Sequence, residues 1–208
     1  MKNHKDLPLL IATNNKGKVK ELQDLLKDTG IAFVTPMQID LDLDVIEDGQ
    51  TYAENANKKA VAFARASGLI SLADDSGLEV NALNGAPGLY SARYGSTDGM
   101  KLSDAERRAF LIRNLQDEPR PWTARFHATI AIAVPNGETH FAEGFCEGEI
   151  IPEERGTGGF GYDPIFLLLE LGKTMAELSM EEKNRLSHRA RAVMNAKPIL
   201  RSIFSTSG

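Results

Sequence analysis

The chain has 208 residues, of which 42% are apolar, 25% are charged and 18 in number are glycine. These globular proportions exclude wholesale disorder and fibrous repeats, and the length suits a single domain over residues 1–208. The net charge of −5 argues against a dedicated nucleic-acid binder.

Cys146 is the only cysteine. That excludes an intramolecular disulfide and a Cys-rich zinc site, and it fits a reducing compartment. No stretch approaches the roughly 18 apolar residues of a membrane span. The opening Met1-Lys-Asn-His-Lys-Asp6 leads into too short an apolar run for a signal peptide. A cytoplasmic location is expected. The net charge hides a segregation. Residues 28–57 carry seven acids and no Lys or Arg, whereas residues 183–208 carry six bases and no acid. Two solvated faces would account for this, as would one arm that holds a cation and another that holds an anion.

In chain order, Leu7–Thr13 is a short apolar run that suits a buried strand. Asn14-Asn-Lys-Gly17 breaks it, and a helix from about Lys18 to Asp28 follows, with Gly30 as its stop. Ile31–Thr35 and Ile39–Leu43 have strand character, the second alternating apolar and acidic residues. Thr51-Tyr-Ala-Glu54 has capping-box spacing and opens a helix to Ser67, with Asn55 and Lys59 on one face. Leu69–Ala73 predicts a strand that ends at Asp74-Asp-Ser-Gly77. Ser103-Asp-Ala-Glu106 opens a helix to Leu115. Thr123–Val134 and His140–Glu147 predict a hairpin about Asn136-Gly137. A glycine-rich loop over 155–164 precedes a strand at Ile165–Leu169. Two further capping boxes begin at Thr174 and Ser179. The second opens a helix to Ala196, which Lys197-Pro198 should break. Interleaved helices and strands plus one hairpin predict an α/β fold with a mixed sheet.

Four segments have chemical character. Thr13–Lys18, between strand and helix, offers backbone N–H groups and lysines to phosphate, although it lacks P-loop spacing and is also ordinary turn composition. Asp74-Asp75 at a strand's carboxyl end could hold Mg²⁺, or Asp-Ser-Gly could simply turn the chain. Only one of two adjacent carboxylates should reach a given face. Gly156-Thr-Gly-Gly-Phe-Gly161 matches G-x-G-x-x-G in letters but not in context. It suits a loop that approaches a ligand closely, with Phe160 and Tyr162 for stacking and Asp163 as acceptor. Arg185, His188 and Arg189 would form one cationic helix face. His127 and Cys146 suit structural roles.

Taken together, Ala12–Lys18, Leu72–Leu78, Gly85–Tyr94, Gly158–Phe166 and Ser187-His-Arg189 resemble the inosine/xanthosine triphosphate pyrophosphatase family, in order from about Leu9 to Met194. The resemblance implies a two-lobed α/β fold with a long central mixed sheet and an active site in the cleft between lobes. It implies Mg²⁺-dependent hydrolysis of ITP, dITP and XTP to the monophosphate and pyrophosphate, cleansing the nucleotide pool, in a homodimer. By motif, the phosphate loop is Thr13, Asn14, Asn15, Lys16, Gly17 and Lys18. Asp75 is the catalytic carboxylate and a metal ligand, Lys59 the helix lysine of the catalytic site, and Ser76 a substrate contact. Glu47 is the second metal ligand, with Asp48 adjoining it, and Asp74 is the spare carboxylate. Base and sugar contacts fall on Phe160, Gly161, Tyr162, Asp163, Lys183, His188 and Arg189. Arg189 or His188 would donate to the purine O6. A nucleotide pyrophosphatase acting on other modified nucleotides is the alternative.

Overall fold

A computed structural model describes residues 7–97 and 100–205; the opening stretch Met1–Asp6 lies outside them. Among the described residues seven strands form one mixed sheet in the order β2-β1-β3-β4-β5-β6-β7, accompanied by five α-helices. The strands are β1 (Leu9–Ile11), β2 (Phe33–Val34), β3 (Ser71–Val80), β4 (Trp122–Ala133), β5 (Thr139–Ile150), β6 (Phe166–Leu168) and β7 (Lys173–Thr174). The helices are α1 (Lys16–Leu26), α2 (Tyr52–Ser67), α3 (Asp104–Leu115), α4 (Met180–Leu186) and α5 (His188–Ser205). Among the described residues no helix is long and apolar enough to cross a membrane.

The chain divides into two compact units. The first holds residues up to Asp75, Ala128–Gly144 and Arg189 onward. Here β1 pairs in parallel with β2 and with β3. Alternation along the strands sorts side chains into two cores. Leu9, Ile11, Leu72 and Ile130 pack with α1 and α5, while Leu10, Ala12, Ala73 and Ala131 pack with α2. A sheet covered on both faces needs such continuous apolar runs, and β1 is buried throughout. The second unit holds Ser76–His127 and Phe145–His188. It has one core, built on Leu78, Phe126, Cys146 and Phe166 against Leu111 and Leu115 of α3. On the other parity Glu79 takes a hydrogen bond from Arg125 (2.6 Å) and contacts His127 (3.3 Å), whose ring packs on Phe145. His127 is thus structural.

Several sequence expectations shift. Ile39–Leu43 forms no strand: Pro36–Ile39 is a 3-10 turn, and the residues after Asp40 are extended but unladdered. The alternation is real, because Leu41, Leu43 and Val45 pack against the α2 core while the intervening acids face outward. Strand β3 does not end at Asp74 but runs through Asp-Asp-Ser-Gly to Val80. The hairpin turn centres on Pro135-Asn136, with Asn136 at φ +57° and the Gly137 N–H donating to the Val134 carbonyl (3.0 Å). Proline pre-sets the first central position of such a turn, displacing the Asn-Gly pair by one residue. The predicted last helix is interrupted at Ser187 (φ −67°, ψ 154°) and then continues through Pro198. Pro198 lies on the exposed side, and Leu200 is fully buried with Ile199 and Ile203 packed nearby. That apolar burial outweighs the lost backbone hydrogen bond.

Candidate active site

The site in the first unit follows from strand parity. Asp74 shares the face of Leu72, toward α1 and α5; Asp75 shares that of Ala73, toward α2. Two adjacent carboxylates therefore enter different environments. Asp74 is fully buried between Lys18 (2.5 Å) and Arg189 (3.1 Å), and Arg189 also grips Glu21 of α1. The two cations hold the Asp74 carboxyl far below the usual carboxylate range despite its burial. Burial pushes the Lys18 ammonium down from its ordinary value.

On the other face Lys59 of α2 reaches Glu47 (2.7 Å), Asp75 (3.5 Å) and the Asp74 carbonyl (2.9 Å). Burial pushes the Asp75 carboxyl up; Lys59 and Lys18 oppose this, and Glu47 and Asp74 add to it. Glu47 belongs to the inward parity of the extended segment, after Leu41, Leu43 and Val45. Asp48 points outward and pairs with exposed Lys58 (2.5 Å). The segment is moored by Gly49, whose N–H donates to Asn55 Oδ1 (2.7 Å). A Cβ on Gly49 would lie 2.7 Å from that oxygen, so only glycine lets the segment dock here.

The proposed phosphate loop is capped from within. The Asn15 side chain accepts from the N–H groups of Gly17 (2.9 Å) and Lys18 (3.1 Å), and Thr13 Oγ1 accepts from the Asn15 N–H. Asn14 and Lys16 are exposed. Ser76 is half-buried, next along β3.

Around the two faces stand three cations (Lys18, Lys59, Arg189) and four carboxylates (Glu21, Glu47, Asp74, Asp75). The surplus negative charge sits on the Glu47–Asp75 side, where Asp75 already favours taking up a proton. Among the described residues no three His, Cys, Asp or Glu side chains converge as a metal cage. Two hard carboxylates nevertheless suit Mg²⁺, which binds through one or two carboxylates and keeps several waters.

In the second unit, Asp163 Oδ2 accepts from Lys183 (2.7 Å) and from the Phe160 N–H (2.9 Å), and Lys183 Nζ lies 5.3 Å from the Phe160 ring centre. Phe160 is half-buried and the loop residues before it are exposed. Gly159, at φ +72°, has no room for a side chain, because a Cβ would fall 1.9 Å from Asp163 Oδ2. The His188 ring stacks on Phe126 at 4.7 Å.

Two sequence expectations are corrected here. Tyr162 is no stacking surface: it is a core residue whose hydroxyl donates to the Ser91 carbonyl (3.0 Å), and burial pushes its phenol up. Arg185, His188 and Arg189 share no helix face, because α4 stops at Leu186 and exposed Arg185 pairs with Glu181. Arg189 is 2% exposed, and its guanidinium is bound to Glu21 and Asp74. The basic arm largely serves acids: Lys197, too, pairs with Asp28 (2.7 Å). Glu21 was missed, although an acid on the apolar stripe of α1, four residues before Leu25, is a visible anomaly. Nothing in the local sequence singled out Asp104 or Arg108, which contact the glycine-rich loop.

The fold and this cluster define an α/β protein whose sheet presents a buried carboxylate–lysine centre. The Ham1 family model matches residues 9–199, and the chain belongs to that family. It is similar to a dITP/XTP pyrophosphatase from Desulforamulus reducens, 51% identical over 199 residues, covering 95% of this chain and 98% of that one. It is also similar to the solved Ham1 proteins of Staphylococcus aureus (TM-score 0.81) and Coxiella burnetii (TM-score 0.83). Each is 39% identical, over 93% of this chain and 98% of the other.

Proposed function

We propose that the protein is an enzyme that hydrolyses the non-canonical purine nucleoside triphosphates dITP, XTP and ITP to the monophosphate and pyrophosphate. The observation that carries this reading is the convergence of Glu47 and Asp75 on Lys59, in a chain half identical to a protein named for that activity. Asp75, with its affinity for protons raised by burial, accepts the proton of the water that attacks the α-phosphorus. Lys59 balances the negative charge that gathers there. Exposed Asn14 and Lys16, at the positive end of α1, face the outer phosphates, and Lys18 adds positive charge behind them. Glu47 and Asp75 would hold Mg²⁺, which supplies charge neutralisation on the phosphate oxygens.

In the second unit Phe160 offers its face to the purine, worth about 1–3 kcal/mol and indifferent to which base it is. Asp163 and Lys183 fix that ring's surroundings, and Gly161 and Ser76 line the backbone near substrate. His188 takes over as donor to the 6-keto oxygen, since Arg189 is occupied by carboxylates. An amino group at that position would leave the donor unsatisfied, costing roughly 1–3 kcal/mol. We read residues 1–208 as one functional domain, because β3 contributes residues to both units. A cytoplasmic setting suits the buried thiol of Cys146, which joins no disulfide. A homodimer belongs to the same proposal, to be checked by light scattering.

The test is Mg²⁺-dependent pyrophosphate release from ITP, dITP, XTP, GTP and ATP. Preference for the 6-keto non-canonical purines is expected. Preference for ATP, or for modified pyrimidine triphosphates added to the panel, overturns the reading.

A further inference from the structure

We propose that Asp104 and Arg108, on the first two turns of α3, are positioning residues that set the Phe160 ring for the base. This rests on the reading of Phe160 as the stacking surface. Neither residue belongs to the motifs that suggested the site. Both nonetheless reach the same residue of the glycine-rich loop, on the two peptide groups that flank its Cα. The Gly161 N–H donates to Asp104 Oδ2 (2.7 Å), and the Gly161 carbonyl accepts from Arg108 Nη1 (2.9 Å).

Arg108 is itself held. Its Nε and Nη2 donate to the two carboxylate oxygens of Glu154, at 2.8 and 2.9 Å, so its third donor has little freedom left. Asp104 is anchored by Arg107, one turn along the same helix. Ser103 caps α3 with a complete capping box, which fixes where this first turn stands. One residue earlier in the loop, the Phe160 N–H is bound by Asp163. The peptide groups on both sides of the Phe160–Gly161 pair are thus pinned by side chains, within a run whose Gly159 and Gly161 lie at φ +72° and +62°. A glycine-rich run free of these bonds would visit many backbone conformations. With them, the backbone that carries the aromatic ring is set before substrate arrives, so the cost of ordering it falls on folding and not on binding.

The experiment measures KM and kcat for ITP hydrolysis in the wild type, D104A, D104N, F160A and the D104A/F160A double variant. D104A is expected to raise KM about fivefold or more with kcat within twofold, because the bond lost is charge-assisted. D104N keeps a side-chain oxygen for the Gly161 N–H and is expected to restore most of the KM. In the F160A background D104A is expected to add nothing, because the ring through which it acts is gone. R108Q weakens the bond to the following peptide group, at the Gly161 carbonyl, and is expected to depend on Phe160 in the same way. An unchanged KM in D104A, or a full additional loss in the double variant, overturns the proposal. If F160A alone leaves KM unchanged, the base reading fails and takes this inference with it. A weakened F160A beside a normal D104A removes only the inference.

Discussion

Asp74 and Asp75 are chemically identical neighbours with opposite electrostatic positions. Asp74 is matched by two buried cations and stays ionised. Its contribution to stability is fully present above the ordinary carboxylate value of 3.8 and is lost only as pH falls below it. Asp75 carries the reverse sign. Its folded-state affinity for protons is raised, so its ionised form costs stability above that range while furnishing a base. Asp75→Asn is therefore expected to remove turnover by about 100-fold or more while the melting temperature does not fall. Pyrophosphate release and thermal unfolding measured together check this, and substantial residual turnover would contradict the assignment.

Among the elements, the extended segment after Asp40 matters most to the site. Its period of two turns half-buried Glu47 toward Lys59 and leaves Asp48 on the surface. Glu47→Gln should raise the Mg²⁺ concentration needed for half-maximal activity by about tenfold, whereas Asp48→Asn should leave it unchanged. A magnesium titration distinguishes the two, and equal effects would mean that the parity argument is wrong. Elements with local signals were legible in the sequence. The limits of α2 and α3 match their caps, since Thr51, Ser103 and Gly68 act within a single turn. What local signals missed was decided at a distance. Asp-Ser-Gly is turn chemistry in isolation, but here it continues a central strand of the sheet. Pro198 stops a helix in isolation, but here it is overruled by the apolar residues that follow it. At the site, motif likeness pointed to Lys59, Asp75 and Glu47, which the fold brings together. The carboxylate partners of Arg189, Glu21 and Asp74, lie far away in sequence and left no local signal.

On the scale of the molecule, Arg189 links the end of the chain to its beginning, bonding Glu21 across 168 residues. Arg189→Met would leave two buried carboxylates with less than their charge matched, and a loss of about 3–5 kcal/mol is expected in urea unfolding. The ratio of ITP to ATP turnover should be unchanged. A changed ratio with intact stability would return Arg189 to the base.

The same link has a consequence for biosynthesis. The first unit is assembled from three separate stretches, and its last stretch begins at Arg189. A ribosome that has translated β1 through α4 has produced both Asp74 and Glu21 but not the guanidinium that neutralises them. Nor has it yet made Val193, Ala196 and Leu200, which are fully buried in that core. The unit cannot close until α5 has been made, because its third stretch begins there. A chain broken off early would lack the charge match as well as the core, which makes an incomplete copy easy for cellular proteases to tell from a finished one.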